Sequence, residues 1–433
     1  MTPFAAGLIG IAFLFLIIFS GMPVAVSLLL VGFLGHVYVQ GFENALWFLQ
    51  TLPFRTFFNY FLAALPLFVF MGELSHSAGV SRDLYDVTNT WLGHLRGGLA
   101  MATVWACAGF AAVSGSSVAT AATFGAVAIP EMRRYKYDPS LATGAVAAGG
   151  TMGILIPPSL ALVIYAIITE QSVGQLFMAG VIPGVLEATF YMITIYILVK
   201  INPSLGPRGP VTSFGAKIRA LKGVWTTLVL FLLVMGGIYG GLFTPTEAAG
   251  VGAFGALFLG FARRKLTRQG LVSAIARASM TTAFLLFIIF GAMVFGYFMT
   301  ISRVPDGVAY FLAGLDVNRY IIMAGIILMY LILGCFLDGL AIVLLTVPVL
   351  LPVMLQLGWS PIWFGIIIIR VLEMGLITPP YGLNVFIIAG VVKDVPIGTI
   401  FRGIVPFLIA DIFHVALLIA VPQLSLFLPG VMK

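Results

Sequence analysis

Residues 151–158 read Thr-Met-Gly-Ile-Leu-Ile-Pro-Pro, and residues 373–380 read Glu-Met-Gly-Leu-Ile-Thr-Pro-Pro. An offset of 222 residues superposes the two stretches and also brings Pro130 onto Pro352 without a gap. Chance similarity between apolar segments would not keep a proline pair in register, so the chain contains an internal repeat. Because proline removes an amide donor and disfavours helix in the residue before it, each pair predicts a helix that breaks midway.

The composition places this repeat in a membrane. Hydrophobic residues make up 61% of the 433 residues and charged residues only 9%, with a mean hydropathy of +1.13. Average soluble domains carry about 25% charged residues, and a helix needs about 20 apolar residues to cross a bilayer. We therefore predict an all-α polytopic membrane protein. The predicted spans lie near 4–20, 24–40, 60–78, 140–170, 178–199, 224–243, 246–262, 280–301, 361–390 and 403–428.

Two further apolar stretches, about 104–130 and 324–352, carry a polar or glycine-rich interruption near the middle. Each is predicted to be a re-entrant hairpin, which enters and leaves the membrane by the same side. Five predicted crossings separate the hairpins, so they open toward opposite sides and the repeat is inverted. The predicted divisions are N-terminal scaffold helices at 1–58, a first repeat at 59–200, central scaffold helices at 201–279 and a second repeat at 280–433.

Basic residues orient the chain. Most of the 22 lysines and arginines fall in short loops on one side, with clusters at 133–136, 217–222 and 263–268. Cytoplasmic loops are rich in Lys and Arg, so this side is predicted to be cytoplasmic and both termini to lie outside. Topology thus explains the net charge of +7, and no nucleic-acid partner is expected.

The interruptions and breaks are the candidate binding elements. Ser116, within Ser114-Gly115-Ser116-Ser117, and Asp338, before Gly339, are predicted helix N-caps. A hairpin tip in a membrane survives only where it is buried or lines a wet cavity. Carbonyls freed at the proline pairs, together with Ser or Thr hydroxyls, suit a weakly held Na⁺, and the half-helix that follows each pair points its positive end at an anion. Inverted repeats with broken helices are typical of secondary transporters.

Ionisable residues at membrane depth are functional candidates by default. Asp338 is the first candidate, with capping of the tip as its alternative role. Arg370 and Glu373 lie three residues apart and either pair with each other or act in substrate or ion coupling. Asn384 either donates to a carboxylate or caps its half-helix. The histidines are predicted to be interfacial; they are His36, His76, His94 and His414.

These features, with Phe-Thr-Pro-Thr-Glu-Ala-Ala at 243–249 and Gly-Leu-Ile-Thr-Pro-Pro at 375–380, resemble the large membrane subunit of tripartite ATP-independent periplasmic (TRAP) transporters. The resemblance spans nearly the whole chain. Thr244 to Glu247 also reads as a capping box with Pro245 in the first helical position, which is a structural role.

The resemblance implies an elevator-type transporter in the bacterial inner membrane, in which a mobile domain carries Na⁺ and an organic acid past a fixed scaffold. It implies two partners, a small four-span membrane subunit (Q type) and a periplasmic substrate-binding protein (P type). The implied Na⁺-binding residues are Ser114, Gly115, Ser116, Thr151, Gly153, Pro157, Asp338, Gly339, Gly375, Thr378 and Pro379. The candidate substrate-binding residues are Ser116, Ser117, Pro158, Arg370, Glu373, Pro380 and Asn384.

Two other functions are alternatives to a transporter that depends on a binding protein. A stand-alone Na⁺/dicarboxylate symporter of related architecture would share the hairpins and need no binding protein, but the 243–249 stretch argues against it. An intramembrane enzyme is disfavoured because the sequence has no His-Glu-x-x-His motif and no plausible Ser and His pair. The protein is therefore not expected to be an enzyme.

Overall fold

The computed structural model describes residues 2–313, 318–337 and 339–432, without the side chains of Arg55, Ala309, Leu312 and Ala313. Within these ranges the secondary structure is helical, as predicted. The first eleven α-helices, α1 to α11, are Pro3–Phe19, Val24–Gln40, Phe42–Phe57, Ala64–Ser77, Val80–Leu92, Gly98–Ser114, Ser117–Arg134, Pro139–Thr151, Leu160–Thr169, Val173–Ile201 and Phe214–Leu221. The remaining ten, α12 to α21, are Trp225–Tyr239, Pro245–Ala262, Arg268–Ile301, Val304–Ala313, Arg319–Phe336, Gly339–Gln356, Pro361–Gly375, Leu383–Val391, Ile397–Ala420 and Gln423–Val431.

The helices repeat at the offset found in the sequence. Helices α7 and α17 correspond at both ends, and the broken pair α8 and α9 corresponds to α18 and α19. Helices α1 and α2 also fall on α12 and α13, so corresponding helices extend beyond the predicted ranges 59–200 and 280–433. The division of the chain into scaffold and repeats stays a prediction.

The apolar helices match the predicted spans in part, because α16 and α17, predicted as the arms of one re-entrant hairpin, are each long and apolar enough to span a membrane. Among the described residues, seven helices are long and apolar enough to span a membrane, or up to eight if α11 and α12, which meet at a 48° bend, form one span. Helices α1 and α2 are apolar and slightly shorter. The predicted span 403–428 is divided, since α20 ends at Ala420 and α21 begins at Gln423.

Four helices lie outside the predicted spans and hairpins, namely α3, α5, α11 and α15. Each carries polar or charged residues on one face, such as Glu43 in α3 and Asp83 in α5. A search for uninterrupted apolar runs misses such helices because their hydrophobic residues are spaced around one side only.

The predicted capping box at the start of α13 is confirmed. The backbone N–H of Glu247 donates to Thr244 Oγ1 at 3.3 Å, and the N–H of Thr244 donates to Glu247 Oε2 at 2.8 Å, with Pro245 in the first turn. These bonds satisfy two helix-end donors that lack partners within the helix. The motif therefore begins helix α13, which is the structural role predicted for it.

Close helix packing depends on glycine at one crossing. Helix α8 lies against α20, and a Cβ on Gly144 would overlap the backbone of Gly403, while one on Gly403 would overlap the backbone of Ser140. Small residues at such crossings let two backbones touch inside a membrane. This contact joins a broken helix of the first repeat to the last long helix of the second.

Candidate functional site

The first hairpin turns where α6 meets α7. Gly115 has φ of +61°, a left-handed conformation that favours glycine. Ser116 is the N-cap of α7, as predicted, because its Oγ accepts a hydrogen bond from the N–H of Ala119 at 3.3 Å. The Thr120 hydroxyl donates to the Ser116 carbonyl at 2.7 Å. The turn is therefore fixed by local hydrogen bonds.

The first proline pair separates α8 from α9, as predicted. The peptide bond between Pro157 and Pro158 is cis, and Ser159 caps α9 by accepting from the N–H of Leu162 at 3.3 Å. The Ser159 hydroxyl also donates to the carbonyl of Ile154. One side chain thus connects the end of the first half-helix to the start of the second.

The hairpin tip lies directly on this break, and glycines allow the approach. A Cβ on Gly153 would lie 2.6 Å from the carbonyl oxygen of Ser116, and one on Gly115 would lie 2.9 Å from the carbonyl oxygen of Pro158. Backbone therefore meets backbone, because the Ser116 carbonyl lies against Gly153 and the Pro158 carbonyl lies against Gly115. The predicted pairing of the first hairpin with the first broken helix is confirmed.

The second repeat has a related contact, which joins helix α16 to the second break. A Cβ on Gly375 would lie 2.6 Å from Cα of Gly334, near the end of α16, and the Cys335 thiol approaches the Pro379 carbonyl at 3.7 Å. The peptide bond between Pro379 and Pro380 is also cis. The second hairpin thus packs on the second break. Gly339, Thr378 and Pro379 belong to this region, whereas Asp338 lies outside the described residues.

Two predicted hydroxyl ligands are engaged with protein groups. Thr151 Oγ1 donates to the carbonyl of Ala148 at 2.6 Å and lies 3.3 Å from Glu187 Oε1. Thr378 Oγ1 donates to the carbonyl of Met374 at 2.6 Å. A hydroxyl oxygen that donates its proton still has lone pairs for a cation, so a role for both residues in Na⁺ binding stays a prediction.

Asn384 does not cap its half-helix. The N-cap position of α19 is Gly382, without a side-chain cap. The buried Asn384 amide instead donates to the carbonyl of Ala147 on α8 at 3.4 Å, and its Oδ1 has no partner among the described residues. The capping alternative was wrong, since the side chain links the broken helices of the two repeats. Contact with a substrate carboxylate stays a prediction.

A buried charged cluster lies around Arg370. Its guanidinium forms ion pairs with Glu373 at 3.1 Å and Glu187 at 3.3 Å, and with Asp411, while its Nε donates to His414 Nδ1 at 3.0 Å. All five residues are fully buried. The predicted pairing of Arg370 with Glu373 is confirmed, and it is part of a cluster that joins α10, α18 and α20.

Sequence reasoning missed three members of this cluster. Glu187 and Asp411 are ionisable residues inside predicted spans, which was a sufficient signal to nominate them. His414 was predicted to be interfacial, and this was wrong because it is buried beside Arg370. His36 is also buried, with its Nε2 2.9 Å from Gln40 Oε1.

A cavity of about 710 Å³ lies next to the first hairpin. Its walls come from the hairpin tip, helices α4 and α14, residues Ile154 and Leu160 flanking the first break, and the start of α17. The predicted site residues that it exposes are Ser114, Gly115, Ser116, Ser117 and Gly339. The described side chains of the Arg370 cluster do not line it, and neither does Asn384.

Charged and titratable side chains of α4 and α14 line part of the cavity. Arg277 on α14 has its Nε 2.6 Å from Glu73 Oε2 and its Nη2 3.0 Å from Ser77 Oγ. His76 Nδ1 lies 3.4 Å from the hydroxyl of Thr123 on the hairpin. Within the described part of the chain, no group of three or more His, Cys, Asp and Glu residues could hold a metal ion.

A family profile described as "Tripartite ATP-independent periplasmic transporter, DctM component" matches residues 11–424. The chain belongs to this family. As a DctM component, it is a multi-pass protein of the bacterial inner membrane and the large permease of a three-part transporter.

Curated relatives of this DctM component cover most of its length. The C4-dicarboxylate TRAP transporter large permease protein DctM of Pseudomonas aeruginosa is 39% identical over 87% of this chain and 88% of its own. The sialic acid TRAP transporter large permease protein SiaM of Vibrio cholerae is 34% identical over 95% and 96%. The 2,3-diketo-L-gulonate TRAP transporter large permease protein YiaN of Escherichia coli is 32% identical over 93% and 94%. These relatives are transport proteins.

A solved structure shares the fold. The crystal structure of the Alcanivorax borkumensis YdaH transporter covers 90% of this chain and 90% of its own, with a TM-score of 0.60 and 16% sequence identity. At this identity the similarity concerns the fold alone. The DctM component therefore has the helix arrangement of a known membrane transporter.

Proposed function

We propose that this DctM component imports an organic acid together with Na⁺. The observation that carries the proposal is a contact between a predicted hairpin and a helix break in each copy of the repeat, beside a cavity that exposes the first tip. Substrate and coupling-ion sites of secondary transporters form at such discontinuous helices. The names of the relatives, which include a C4-dicarboxylate, a sialic acid and a keto sugar acid, point to a carboxylate.

The ion sites are proposed at the two tips. At the first, the Ser116 carbonyl lies against Gly153 and the Pro158 carbonyl against Gly115, and the second contains Gly339 and the Pro379 carbonyl. Backbone carbonyls left free by a helix break coordinate Na⁺ in many transporters. Helix α9, whose N-terminus follows Pro158, would supply a positive dipole end for the anion.

Transport is proposed to proceed by an elevator motion. The hairpins and broken helices would move as one unit against a scaffold that includes α2, α4, α13 and α14, which pack on one another. At the boundary, a Cβ on Gly72 of α4 would lie 3.0 Å from the carbonyl oxygen of Ser114 at the tip. A smooth contact of this kind permits sliding.

Two partners are proposed, a small four-span membrane subunit (Q type) and a periplasmic substrate-binding protein (P type). Helix α3 and the turn after it expose large aromatic side chains, including Trp47 at 63%, Phe54 at 68% and Phe58 at 82%. Exposed aromatic surface of this size suits contact with another membrane subunit or with the lipid interface. The small subunit is proposed to bind along this surface.

Uptake into proteoliposomes tests the proposed function. Vesicles that contain the chain and its small subunit should accumulate succinate, N-acetylneuraminate or 2,3-diketo-L-gulonate only when a sodium gradient and a purified periplasmic binding protein are both present. A stand-alone Na⁺/dicarboxylate symporter would accumulate acid without the binding protein. Accumulation that ignores sodium would refute the proposed coupling.

The substitution Asp338→Asn tests the second ion site. Asparagine caps helices about as well as aspartate, so the substitution removes a charge and keeps the cap. We expect normal insertion and yield, because the corresponding residue of the first repeat, Ser116, caps its helix without a charge. We expect Na⁺-driven uptake to be abolished or strongly reduced, because the negative charge proposed to hold the cation is removed. Unchanged sodium affinity and rate would show that this carboxylate serves only as a cap.

A further inference from the structure

The cavity beside the first hairpin carries very little charge for a site that would hold an anion. Among the described residues, Arg277 is the only lysine or arginine in its lining, and Glu73 is the only carboxylate. Most of the other lining groups are apolar side chains or hydroxyls. An anion that enters this space therefore has one guanidinium available as its counter-ion.

Part of the Arg277 guanidinium is available to bind an anion. Its Nε is bound to Glu73 and its Nη2 to Ser77, while Nη1 has no partner among the described residues. About half of the side chain is exposed, at 48%, whereas the Glu73 side chain is 21% exposed. Half-exposed ion pairs are held weakly, so a carboxylate in the cavity can compete with Glu73 for the guanidinium. The planar fork of arginine matches a carboxylate in two parallel hydrogen bonds.

Arg277 lies toward the predicted cytoplasmic side of the membrane. It lies in the part of α14 that follows the basic cluster 263–268, and the Glu73 helix α4 ends at Ser77 on the same side. This is the side that the basic residues assign to the cytoplasm. Both residues belong to helices that the proposed mechanism keeps fixed, whereas Ser116 belongs to the moving hairpin. Arg277 therefore faces the substrate from the scaffold.

The repeat provides a counterpart at the other side. The offset that superposes the two proline pairs places Arg55 on Arg277. The Lys and Arg distribution assigns Arg55, in α3, to the outside, so the predicted inverted repeat puts one arginine toward each side of the membrane. An inverted repeat exchanges the environments of the two sides when the mobile part moves.

We propose that Arg277 is a scaffold counter-ion that receives a carboxylate of the transported acid on the cytoplasmic side, in exchange for Glu73. This inference rests on the proposed function. Arg277 acts as a specificity-determining residue for anions, and it favours release because its carboxylate partner Glu73 returns once the substrate has left.

A charge-sensitive labelling assay tests the proposal without knowledge of the substrate. Thr281, one turn after Arg277 in the cavity lining, is replaced by cysteine in a chain that also carries Cys107→Ala and Cys335→Ala. The rates of reaction with anionic 2-sulfonatoethyl methanethiosulfonate and cationic 2-(trimethylammonium)ethyl methanethiosulfonate are then compared. We expect Arg277→Gln to lower the ratio of anionic to cationic rates by roughly fivefold at low salt, and less at high salt.

Matched variants separate a charge effect from a structural one. Arg277→Lys keeps the charge and should preserve the ratio. Glu73→Gln should raise the ratio of anionic to cationic rates, since Arg277 then lacks its carboxylate partner. If the variants acted only by disrupting the ion pair, Glu73→Gln and Arg277→Gln would change this ratio in the same direction. Arg268→Gln removes the same charge from exposed α14 sequence outside the cavity lining and should leave the ratio unchanged.

Uptake of the acid that passes the proteoliposome test completes the experiment. A fall in both the labelling ratio and the uptake rate of Arg277→Gln, with recovery in Arg277→Lys, supports the proposal. Equal ratios in Arg277→Gln and Arg268→Gln overturn it, and so does normal uptake by Arg277→Gln. If the unsubstituted protein accumulates none of the acids, the proposed function fails, and the labelling ratio alone then decides whether Arg277 selects anions.

Discussion

Replacement of Arg370 by methionine is expected to prevent stable folding in the membrane. The substitution leaves the buried carboxyl groups of Glu187, Glu373 and Asp411 without the only cation that contacts them among the described residues. Removing one partner of a buried ion pair costs about 3–5 kcal/mol, a large share of a total stability of about 5–15 kcal/mol. We expect low yield and a strongly lowered unfolding temperature of the detergent-purified protein.

The half-exposed pair of Arg277 and Glu73 provides the matched control. Exposed ion pairs contribute about 0–1 kcal/mol, so Arg277→Gln should unfold within a few degrees of the unsubstituted chain. Asp411→Asn should lower the unfolding temperature less than Arg370→Met does, because Arg370 still has Glu187 and Glu373 as partners. Equal unfolding temperatures for Arg370→Met and Arg277→Gln would show that the cluster does not hold α10, α18 and α20 together.

The substitution Gly153→Ala is expected to reduce Na⁺-driven uptake by roughly tenfold or more while leaving the protein folded. An added Cβ would lie 2.6 Å from the carbonyl carbon and oxygen of Ser116 and 2.9 Å from the nitrogen of Ser117. These are backbone atoms, so the hairpin tip must move away from the break. Overpacking of this kind costs about 1–3 kcal/mol, and each 1.4 kcal/mol is a factor of ten in an equilibrium constant. Uptake as a function of sodium concentration measures the effect.

Gly390→Ala is the control for this substitution. Gly390 lies in α19 of the second broken helix, and a Cβ there would meet no atom within 4 Å. Its uptake should match that of the unsubstituted chain. If Gly153→Ala transports as well as Gly390→Ala at every sodium concentration, the contact of tip and break has no part in ion binding.

The sequence was most informative where local chemistry decides the backbone. The proline pairs predicted both breaks, Ser116 was recognised as the cap of α7, and Thr244 to Glu247 as a capping box. Proline, glycine and capping residues act on the few residues around them, so their effect can be read without knowledge of the fold. The repeat then added long-range information, because two copies at one offset imply two similar substructures.

Only the tertiary structure brought together residues that are distant in the chain. Arg370 lies more than 180 residues from Glu187, and no local pattern indicates that Arg370 meets Glu187, Asp411 and His414. Arg277 and Glu73 likewise pair from α14 and α4 to line the cavity. Such contacts depend on which faces of separate helices pack together, and in a chain this apolar nearly every helix face is hydrophobic enough to be buried. The sequence by itself therefore determined the helix breaks and the caps that begin α7 and α13, whereas helix packing decided which charges share a site.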